Sequence, residues 1–250
     1  MTAVAVGWLA ITPCVTRVLA ADDASKAAPI GEGSPFANHA ANGVVAYRRH
    51  DFNQAIAELE KAVAIFQDPR LMALLASAYA ESGRLDDSLA QYAKALTAEP
   101  TNAETHKQAG IVYLRKNDAA QALSHLKRAV ELKPDDAEMH LALGKGLFLA
   151  QSPAAARAEF EKVLQKSPND AEARAGIGAC LHASGQFEDA LREYLRALEL
   201  GHEPNTLYGA MVTALKSYSE IGDARPYAKK ALLYYPGNET FQVFAQQPQK

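Results

Sequence analysis

Cysteine is scarce in this 250-residue chain, and this limits what can hold the fold together. Cys14 and Cys180 are the two cysteines. If Cys14 is removed with an N-terminal leader, one thiol remains and no internal disulfide can form. Cys180 lies within the apolar pattern "AGIGACLHA", where a small buried residue is expected rather than a reactive thiol. Packing, not a disulfide framework, must therefore stabilise the protein.

An excess of charge of one sign is also missing. The chain carries 26 Lys plus Arg against 29 Asp plus Glu, a formal net charge of −3, and no basic stripe stands out. The electrostatic pattern of a nucleic-acid binder is therefore absent, and no nucleic-acid partner is expected. Hydrophobic residues at 48% are ordinary for a folded protein, while aromatics are modest at 8%. Abundant alanine lets helices approach closely and favours an all-helical array.

Motifs of phosphate binding and acyl transfer are not found in the sequence. The stretch "LGKGLF" around Lys145 does not form a phosphate-binding loop, because Met139 stands at the first glycine position and Gly146 follows the lysine. No G-x-S-x-G occurs, and Cys180 has no obvious histidine partner. No catalytic residue, cofactor or small-molecule substrate is predicted, and the protein is not expected to be an enzyme.

Two histidines at equivalent repeat positions suggest, at first, a zinc pair. His106 and His140 should lie on neighbouring helices, with Glu104 and Glu138 close by. No H-E-x-x-H or paired C-x-x-C accompanies them, however. Repetition explains the two histidines better than metal binding, so no metal site is predicted.

The N-terminus resembles a secretory leader. Residues 1–16 carry no charged side chain and form an apolar run that is shorter than a transmembrane helix requires. Small side chains at Val18 and Ala20 suit cleavage before Ala21, so residues 1–20 are predicted to be a signal peptide. The protein is then exported, to a periplasm in a bacterial-type envelope. The alternatives are a cytoplasmic protein and one that is membrane-anchored by an uncleaved N-terminus.

The stretch "PDDAEMH", which begins at Pro134, has near-copies on both sides. "PTNAETH" begins at Pro100 and "PNDAEAR" at Pro168, so the three prolines are spaced by 34 residues. A fixed period of this length is typical of a repeat architecture. Asp135 or Asp136 is expected to cap the helix that follows, since acidic side chains are favoured there.

Other columns of residues recur with the same period. Each segment is predicted to contain two helices, because apolar residues recur at three- and four-residue spacing, and a turn with Gly83 or Gly185 separates them. The first column holds small residues. The second, three residues further along the same helix, holds bulky residues, and the third, in the second helix, holds aromatic residues or leucine. In order, their members are Ala76, Gly110, Gly144 and Gly178; Tyr79, Tyr113, Leu147, Leu181 and Leu215; and Tyr92, Leu126, Phe160 and Tyr194.

These residues resemble the tetratricopeptide repeat, a 34-residue helix–turn–helix with a small residue in the first helix, an aromatic in the second and a closing proline. The resemblance implies an all-α, right-handed α-solenoid of about six repeats over residues 36–238. In 171–204, His202 replaces the closing proline, and 205–238 departs further, with Pro226 early in its second helix. The expected segments are 36–68, 69–102, 103–136, 137–170, 171–204 and 205–238, with a linker at 21–35 and a C-terminal capping segment at 239–250.

By this resemblance, the first helices line a concave groove that binds a peptide or helix of a partner protein. The groove positions are small or apolar, apart from Lys107 and Lys145, which are expected to be neighbours that take a partner's carboxylate. Equally, these could be ordinary half-buried residues, with the lysines lying over apolar neighbours. The predicted groove residues are Arg70, Ala73, Ser77, Lys107, Ile111, Leu141, Lys145, Ala175, Ala179, Gly209, Thr213 and Lys216.

The function expected from the sequence is a non-enzymatic scaffold for protein–protein interaction. With export, it would assist assembly of an envelope or secretion complex, and a partner in a membrane-associated complex is compatible with this. The alternative is a cytosolic adaptor or co-chaperone-like regulator. Binding of chaperone C-terminal tails is disfavoured, because the asparagines of that two-carboxylate clamp are absent from the corresponding positions.

Overall fold

The computed structural model describes residues 34–247, and every regular element within that range is an α-helix. None of these helices is both long enough and apolar enough to cross a bilayer. The predicted signal peptide and all but the last two residues of the predicted linker lie outside the described residues. The helices are α1 Pro35–Arg48, α2 Phe52–Ile65, α3 Pro69–Glu81, α4 Leu85–Ala98, α5 Ala103–Arg115, α6 Ala119–Leu132, α7 Ala137–Leu149, α8 Pro153–Lys166, α9 Ala171–Ala183, α10 Phe187–Glu199, α11 Pro204–Ser219, α12 Arg225–Ala231 and α13 Glu239–Gln246.

The helices follow one another in helix–turn–helix pairs, which confirms the predicted all-α fold. The odd-numbered helices α1 to α11 are termed first helices, and the even-numbered helices α2 to α12 second helices. The chain divides into two compact units, unit 1 up to Lys116 and unit 2 from Asn117 onward. In unit 1, α1 contacts α3 and α3 contacts α5; in unit 2, α7 contacts α9 and α9 contacts α11.

Polar side chains begin the first helices where the repeated "P-x-x-A" stretches predict. Asp136 caps α7 by accepting a hydrogen bond from the Glu138 N–H at 2.9 Å, which satisfies a donor that has no partner within the helix. Asn102 and Asp170 do the same for α5 and α9. Asp135 does not cap; its carboxylate lies 2.6 Å from the Lys166 ammonium. The capping prediction is therefore confirmed, with Asp136 as the residue.

The turns between paired helices adopt left-handed backbone conformations. Gly83 and Gly185 have φ of +83° and +76°, which glycine adopts without a steric penalty. At the equivalent turn position, Asn117 and Gln151 have φ of 60° and 57°. The turn geometry thus belongs to the repeat, and it persists where a side chain makes it less favourable.

Glycines in the first helices allow aromatic rings of the second helices to pack closely. A Cβ built on Gly144 would lie 2.7 Å from the Phe160 ring, and one on Gly176 would also lie 2.7 Å from it. Phe160 is buried between these two backbones. Gly178 leaves the same space for the ring of Tyr194. The recurring small column is therefore explained by contact between helices.

The last pair departs from the others, as the early proline suggests. Pro226 stands in the first turn of α12, which has 7 residues, and α12 packs against α10 and α13. Asn238 caps α13 by accepting from the Phe241 N–H at 3.2 Å. Phe241 is buried against the rings of Tyr208 and Tyr235, with centroid distances of 5.6 and 5.0 Å. The aromatic cluster covers the end of the unit 2 core.

Candidate functional site: the face of the first helices

The predicted groove residues of unit 1 lie on α3 and α5. Ala73, Ser77 and Ile111 are half-buried. Arg70 is exposed, and its guanidinium lies 3.2 Å from the Asp68 carboxylate. Residues three and four apart share one face of a helix, so this face presents small and apolar side chains with a charged pair at its start.

Lys107, predicted to take a partner's carboxylate, is largely buried on α5. Its exposed fraction is 7%, and its ammonium lies 2.9 Å from the Glu104 carboxylate on the same helix. The lysine therefore already has an acidic partner, and a partner's carboxylate would have to compete with Glu104. Lys107 and Lys145 belong to different units, so their expected proximity stays a prediction.

In unit 2, the predicted residues divide between core and surface. Ala175 has an exposed fraction of 8% and belongs to the hydrophobic core, whereas Leu141 and Ala179 are half-buried. Lys145 on α7 is exposed, and its ammonium lies 2.6 Å from the Glu172 carboxylate on α9. This ion pair joins neighbouring first helices; at the surface such a pair contributes about 0–1 kcal/mol and leaves the lysine able to exchange partners.

The predicted residues of α11 are all exposed. The Thr213 hydroxyl donates to the Gly209 carbonyl oxygen, one turn earlier. Lys216 makes no ion pair with any residue in the range 34–247. Among the three lysines predicted for the groove, Lys216 is thus the one whose charge is not balanced by a carboxylate in that range.

A small polar pocket lies on the first-helix face of unit 1. Its volume is about 80 Å³. The Ser77 and Tyr92 hydroxyls lie 2.8 Å apart within it, and the Glu81 carboxylate lies 4.0 Å from the Arg115 guanidinium. The lining residues are Tyr47, Ser77, Ala80, Glu81, Tyr92, Gln108, Ile111, Val112 and Arg115.

Burial shapes the electrostatics of this polar pocket. It raises the pKa of Tyr92 to about 12, although the hydrogen bond with Ser77 acts in the opposite direction. The pKa of Tyr47 is also raised, first by burial and then by the negative charge of Glu81, against a hydrogen bond with Ser77. Both phenols therefore stay neutral and serve as hydrogen-bonding groups at physiological pH.

A larger and more apolar pocket lies on the first-helix face of unit 2. Its volume is about 300 Å³. Burial lowers the pKa of His182, which keeps its ring neutral, and this ring packs edge-on against Phe187 with a centroid distance of 5.5 Å. The lining residues are Phe148, Ala179, His182, Ala183, Tyr194 and Ala210.

The two pockets use equivalent positions of the repeat. Ala179, Ala183, Tyr194 and Ala210 follow Ser77, Glu81, Tyr92 and Gln108 by 102 residues, which is three periods of 34. Phe148 follows Tyr47 by 101, because the first segment is one residue shorter. One architectural position thus holds polar side chains in unit 1 and alanines in unit 2.

The histidines considered as metal ligands make structural contacts instead. His140 is buried, with Nδ1 2.6 Å from the Glu159 carboxylate and Nε2 2.8 Å from the Pro134 carbonyl oxygen. Both neighbours are acceptors, so both are satisfied when the ring carries two hydrogens. His106 lies 3.2 Å from the Pro100 carbonyl oxygen in the same manner. Residues 34–247 contain no cluster of three or more potential metal ligands.

The same contacts recur with other side chains. Arg174, one period after His140, donates to the Pro168 carbonyl oxygen at 3.0 Å and to the Glu193 carboxylate at 3.2 Å. His39 lies 2.6 Å from Glu58. Through His39, His140 and Arg174, this column joins the first helix of three pairs to its second helix, and His106, His140 and Arg174 also contact the carbonyl of the proline at the segment boundary, so the column is architectural.

Cys180 is buried, as its apolar surroundings predict. Burial raises the pKa of its thiol to about 11, despite the opposing charge of Arg157. A thiol with this pKa is a poor nucleophile at neutral pH.

Family models now identify the repeat. One model described as tetratricopeptide repeat matches residues 41–103 and 107–171, and a second model with the same description matches residues 147–215. The chain belongs to the tetratricopeptide repeat family. Tetratricopeptide domains bind protein partners and are typically non-enzymatic, which fits a general protein-binding role.

A curated tetratricopeptide relative shares a limited stretch of sequence. It is the TPR repeat-containing thioredoxin TTL4 of Arabidopsis thaliana, 31% identical over 85 residues. The match covers 34% of this chain and 12% of that protein, so the chain spans about an eighth of its relative's length.

Solved tetratricopeptide structures share the fold. The chain covers 96% of the Pseudomonas aeruginosa pilF structure, with 84% of its own length matched, a TM-score of 0.64 and 21% identity. For MamA residues 41-end from Desulfovibrio magneticus RS-1, the coverage is 97% of that chain and 68% of this one, with a TM-score of 0.62 and 18% identity. At these identities, the likeness describes the fold alone.

Three of the residues predicted for the groove, Ser77, Ile111 and Ala179, line the pockets, whereas the sequence does not predict most of the other lining residues. Tyr92 and Tyr194 belong to the aromatic column of the second helices, for which the sequence predicts no role in the groove. Residues at positions twelve and thirteen of the segments also line the pockets. Glu81 in the pocket of unit 1 is an example. Comparing segments three periods apart would have revealed the contrast between the pockets.

Proposed function

We propose that this protein is a non-enzymatic scaffold that binds a peptide or helix of a partner protein along the face of its first helices. The supporting observation is the open, apolar pocket of unit 2, set among exposed or half-buried small residues. Small side chains let a partner backbone approach, and an apolar pocket among them provides an anchoring point.

We further propose that the partner belongs to an envelope or secretion complex, whose assembly the scaffold assists. This part rests on the N-terminal leader that the sequence predicts. Mass spectrometry of the protein from its native source should detect an N-terminus at Ala21. An intact Met1 in a cytosolic fraction would contradict export and favour a cytosolic adaptor, and it would leave the scaffold proposal standing.

Co-purification from the native source, followed by identification of bound proteins, tests the scaffold itself. The variant Lys145→Glu should reduce partner affinity by about tenfold, since it places a second negative charge beside Glu172 on the proposed face. Lys127→Glu makes the same charge change on the exposed surface of the second helix α6 and serves as the matched control. Equal affinities of the two variants would contradict the placement of the binding face.

A further inference from the structure

The pocket of unit 2 leaves more space unfilled than the equivalent pocket of unit 1. Three alanines and Phe148 are four of its six lining residues. In unit 1, larger polar side chains stand at the positions of Ala183 and Ala210, and the cavity is about 80 Å³ instead of about 300 Å³. Truncation of these side chains to methyl groups accounts for the space.

The size of the cavity matches a side chain. An apolar protein cavity of about 150 Å³ accommodates a benzene molecule, so 300 Å³ provides room for a branched aliphatic or aromatic side chain. The 80 Å³ pocket of unit 1 does not. Apolar walls give such an occupant its favourable free energy of transfer from water.

One polar group within the pocket lacks a partner. Tyr194 has an exposed fraction of 1%, and its hydroxyl makes no hydrogen bond with any residue of 34–247, whereas the equivalent Tyr92 hydroxyl is bonded to Ser77. The hydroxyl oxygen itself is not fully buried, so it stays available to a ligand in the pocket, and a hydrogen bond made there would be modestly favourable. A backbone carbonyl beside the inserted side chain would accept that hydrogen bond.

The charges on α11 bear on which residues could flank an occupant of the pocket. Among the described residues, no carboxylate lines the pocket, in contrast to Glu81 in unit 1. Lys216 lies six residues after Ala210 on α11, about 9 Å further along the helix axis and about 120° around it, outside the pocket lining and with no carboxylate partner within 34–247. An acidic residue one or two positions from the inserted side chain would complement it.

We propose that this pocket anchors one bulky apolar side chain, leucine or phenylalanine, of a partner segment that also carries an acidic residue. The inference rests on the proposed function, because it specifies the partner segment that the first-helix face accepts. The occupant is a side chain of a protein, inserted beside a backbone carbonyl that accepts from Tyr194.

Alanine-methyl NMR of the full chain tests this pocket directly. The probes are two short acetylated peptides, one of alanines with a central leucine flanked by glutamates, and one with alanine in place of that leucine. The leucine peptide should cause saturable shifts of the Ala179, Ala183 and Ala210 methyl signals, and the alanine peptide should bind about tenfold more weakly. Absence of these shifts, or equal affinity of the two peptides, would overturn the proposal.

Variants that exchange the chemistry of the two pockets sharpen the test. The pair Ala183→Glu and Ala210→Gln introduces the side chains of unit 1 and should lower affinity for the leucine peptide at least about tenfold. The matched control, Glu81→Ala with Gln108→Ala in unit 1, should leave that affinity unchanged. Replacing the peptide glutamates with glutamines should weaken binding to the wild type and have no effect in Lys216→Gln. An unchanged affinity in the filled variant, with its helical circular dichroism retained, would contradict the assignment.

The outcomes also separate this inference from the proposed function. If a native partner co-purifies but the leucine peptide does not bind, the scaffold stands and the anchor pocket fails. If the peptide binds but no partner co-purifies, the pocket stands and the proposed function fails.

Discussion

The pockets of unit 1 and unit 2 occupy the same repeat positions, three periods apart, and have opposite chemistry. In unit 1, Ser77 satisfies the hydroxyl of Tyr92, and further polar side chains fill the cavity. In unit 2, Ala179 leaves the hydroxyl of Tyr194 without a partner in the described part of the chain, and the cavity is open. The helix pairs and the equivalent packing of the two tyrosines fix where such a pocket forms, while the side chains at Ser77, Glu81 and Gln108 are replaced by alanine in unit 2.

The largest effect is expected where that packing is disturbed. Gly144→Leu should lower the free energy of unfolding by about 3 kcal/mol, because a Cβ there would already lie 2.7 Å from the buried ring of Phe160. Gly209→Leu is the matched control, since a Cβ on Gly209 meets nothing within 4 Å. Urea unfolding of both variants measures the difference. A wild-type midpoint for Gly144→Leu would show that the small column is not required for helix contact.

Exchanging serine and alanine between the pockets tests the comparison itself. Ser77→Ala should destabilise the protein by about 1–3 kcal/mol, because it leaves the buried Tyr92 hydroxyl without its partner. Ala179→Ser should stabilise it by about 0.5–1 kcal/mol, by giving Tyr194 the partner that Tyr92 has. Urea unfolding, with the denaturant dependence of the unfolding free energy unchanged, measures the sign of both stability changes. Effects of the same sign would mean that the two positions are not equivalent.

A buried serine on the second helix of unit 1 provides a smaller test. The Ser88 hydroxyl is fully buried and has no hydrogen-bond partner among residues 34–247, and the equivalent positions carry alanine. Ser88→Ala should therefore raise the unfolding free energy by about 1 kcal/mol, measured as a higher urea midpoint. A lower midpoint would indicate that the hydroxyl is satisfied in solution. The equivalent alanines are Ala55, Ala122, Ala156 and Ala190.

The smallest effect concerns acid stability, for which each unit has an equivalent carboxylate. Hydrogen bonds from Lys61, which has the larger effect, and from His39 lower the pKa of Glu58 to about 2. Because the pKa of Glu58 is lower in the folded than in the unfolded protein, its ionised carboxylate stabilises the fold above the unfolded pKa, near 4.5. This stabilisation is lost as the pH falls toward 2. Thermal unfolding between pH 6 and pH 2.5 should therefore show a shallower acid dependence for Glu58→Gln than for the wild type.

Glu159 in unit 2 provides the parallel measurement. Burial raises the pKa of Glu159, but hydrogen bonds from Lys162 and His140 outweigh it and hold the pKa below the ordinary value. Glu159→Gln should reduce the acid dependence in the same direction. Identical pH profiles for the wild type and both variants would refute a contribution from these columns.

Much of the fold follows from residues that act locally. Asp136 can cap α7 and Pro134 prevents the preceding helix from continuing, whatever the rest of the chain does. The side chains at the candidate site were harder to predict, since their surroundings come from distant segments. Ala175 and Ala179 fill equivalent predicted roles in the sequence, yet the first is in the core and the second lines a pocket.

The sequence by itself determined the 34-residue period, the helix ends and the small residues that let helices meet, because caps, prolines and spacing act within a few residues. Only the tertiary structure decided which charges are balanced and where space remains. Lys107 forms an ion pair with Glu104 of its own helix, and Lys145 forms one with Glu172 of the next first helix. Lys216 has no carboxylate partner in the described range. The pocket of unit 2 draws its walls from four helices, so its volume depends on side chains that only packing brings together.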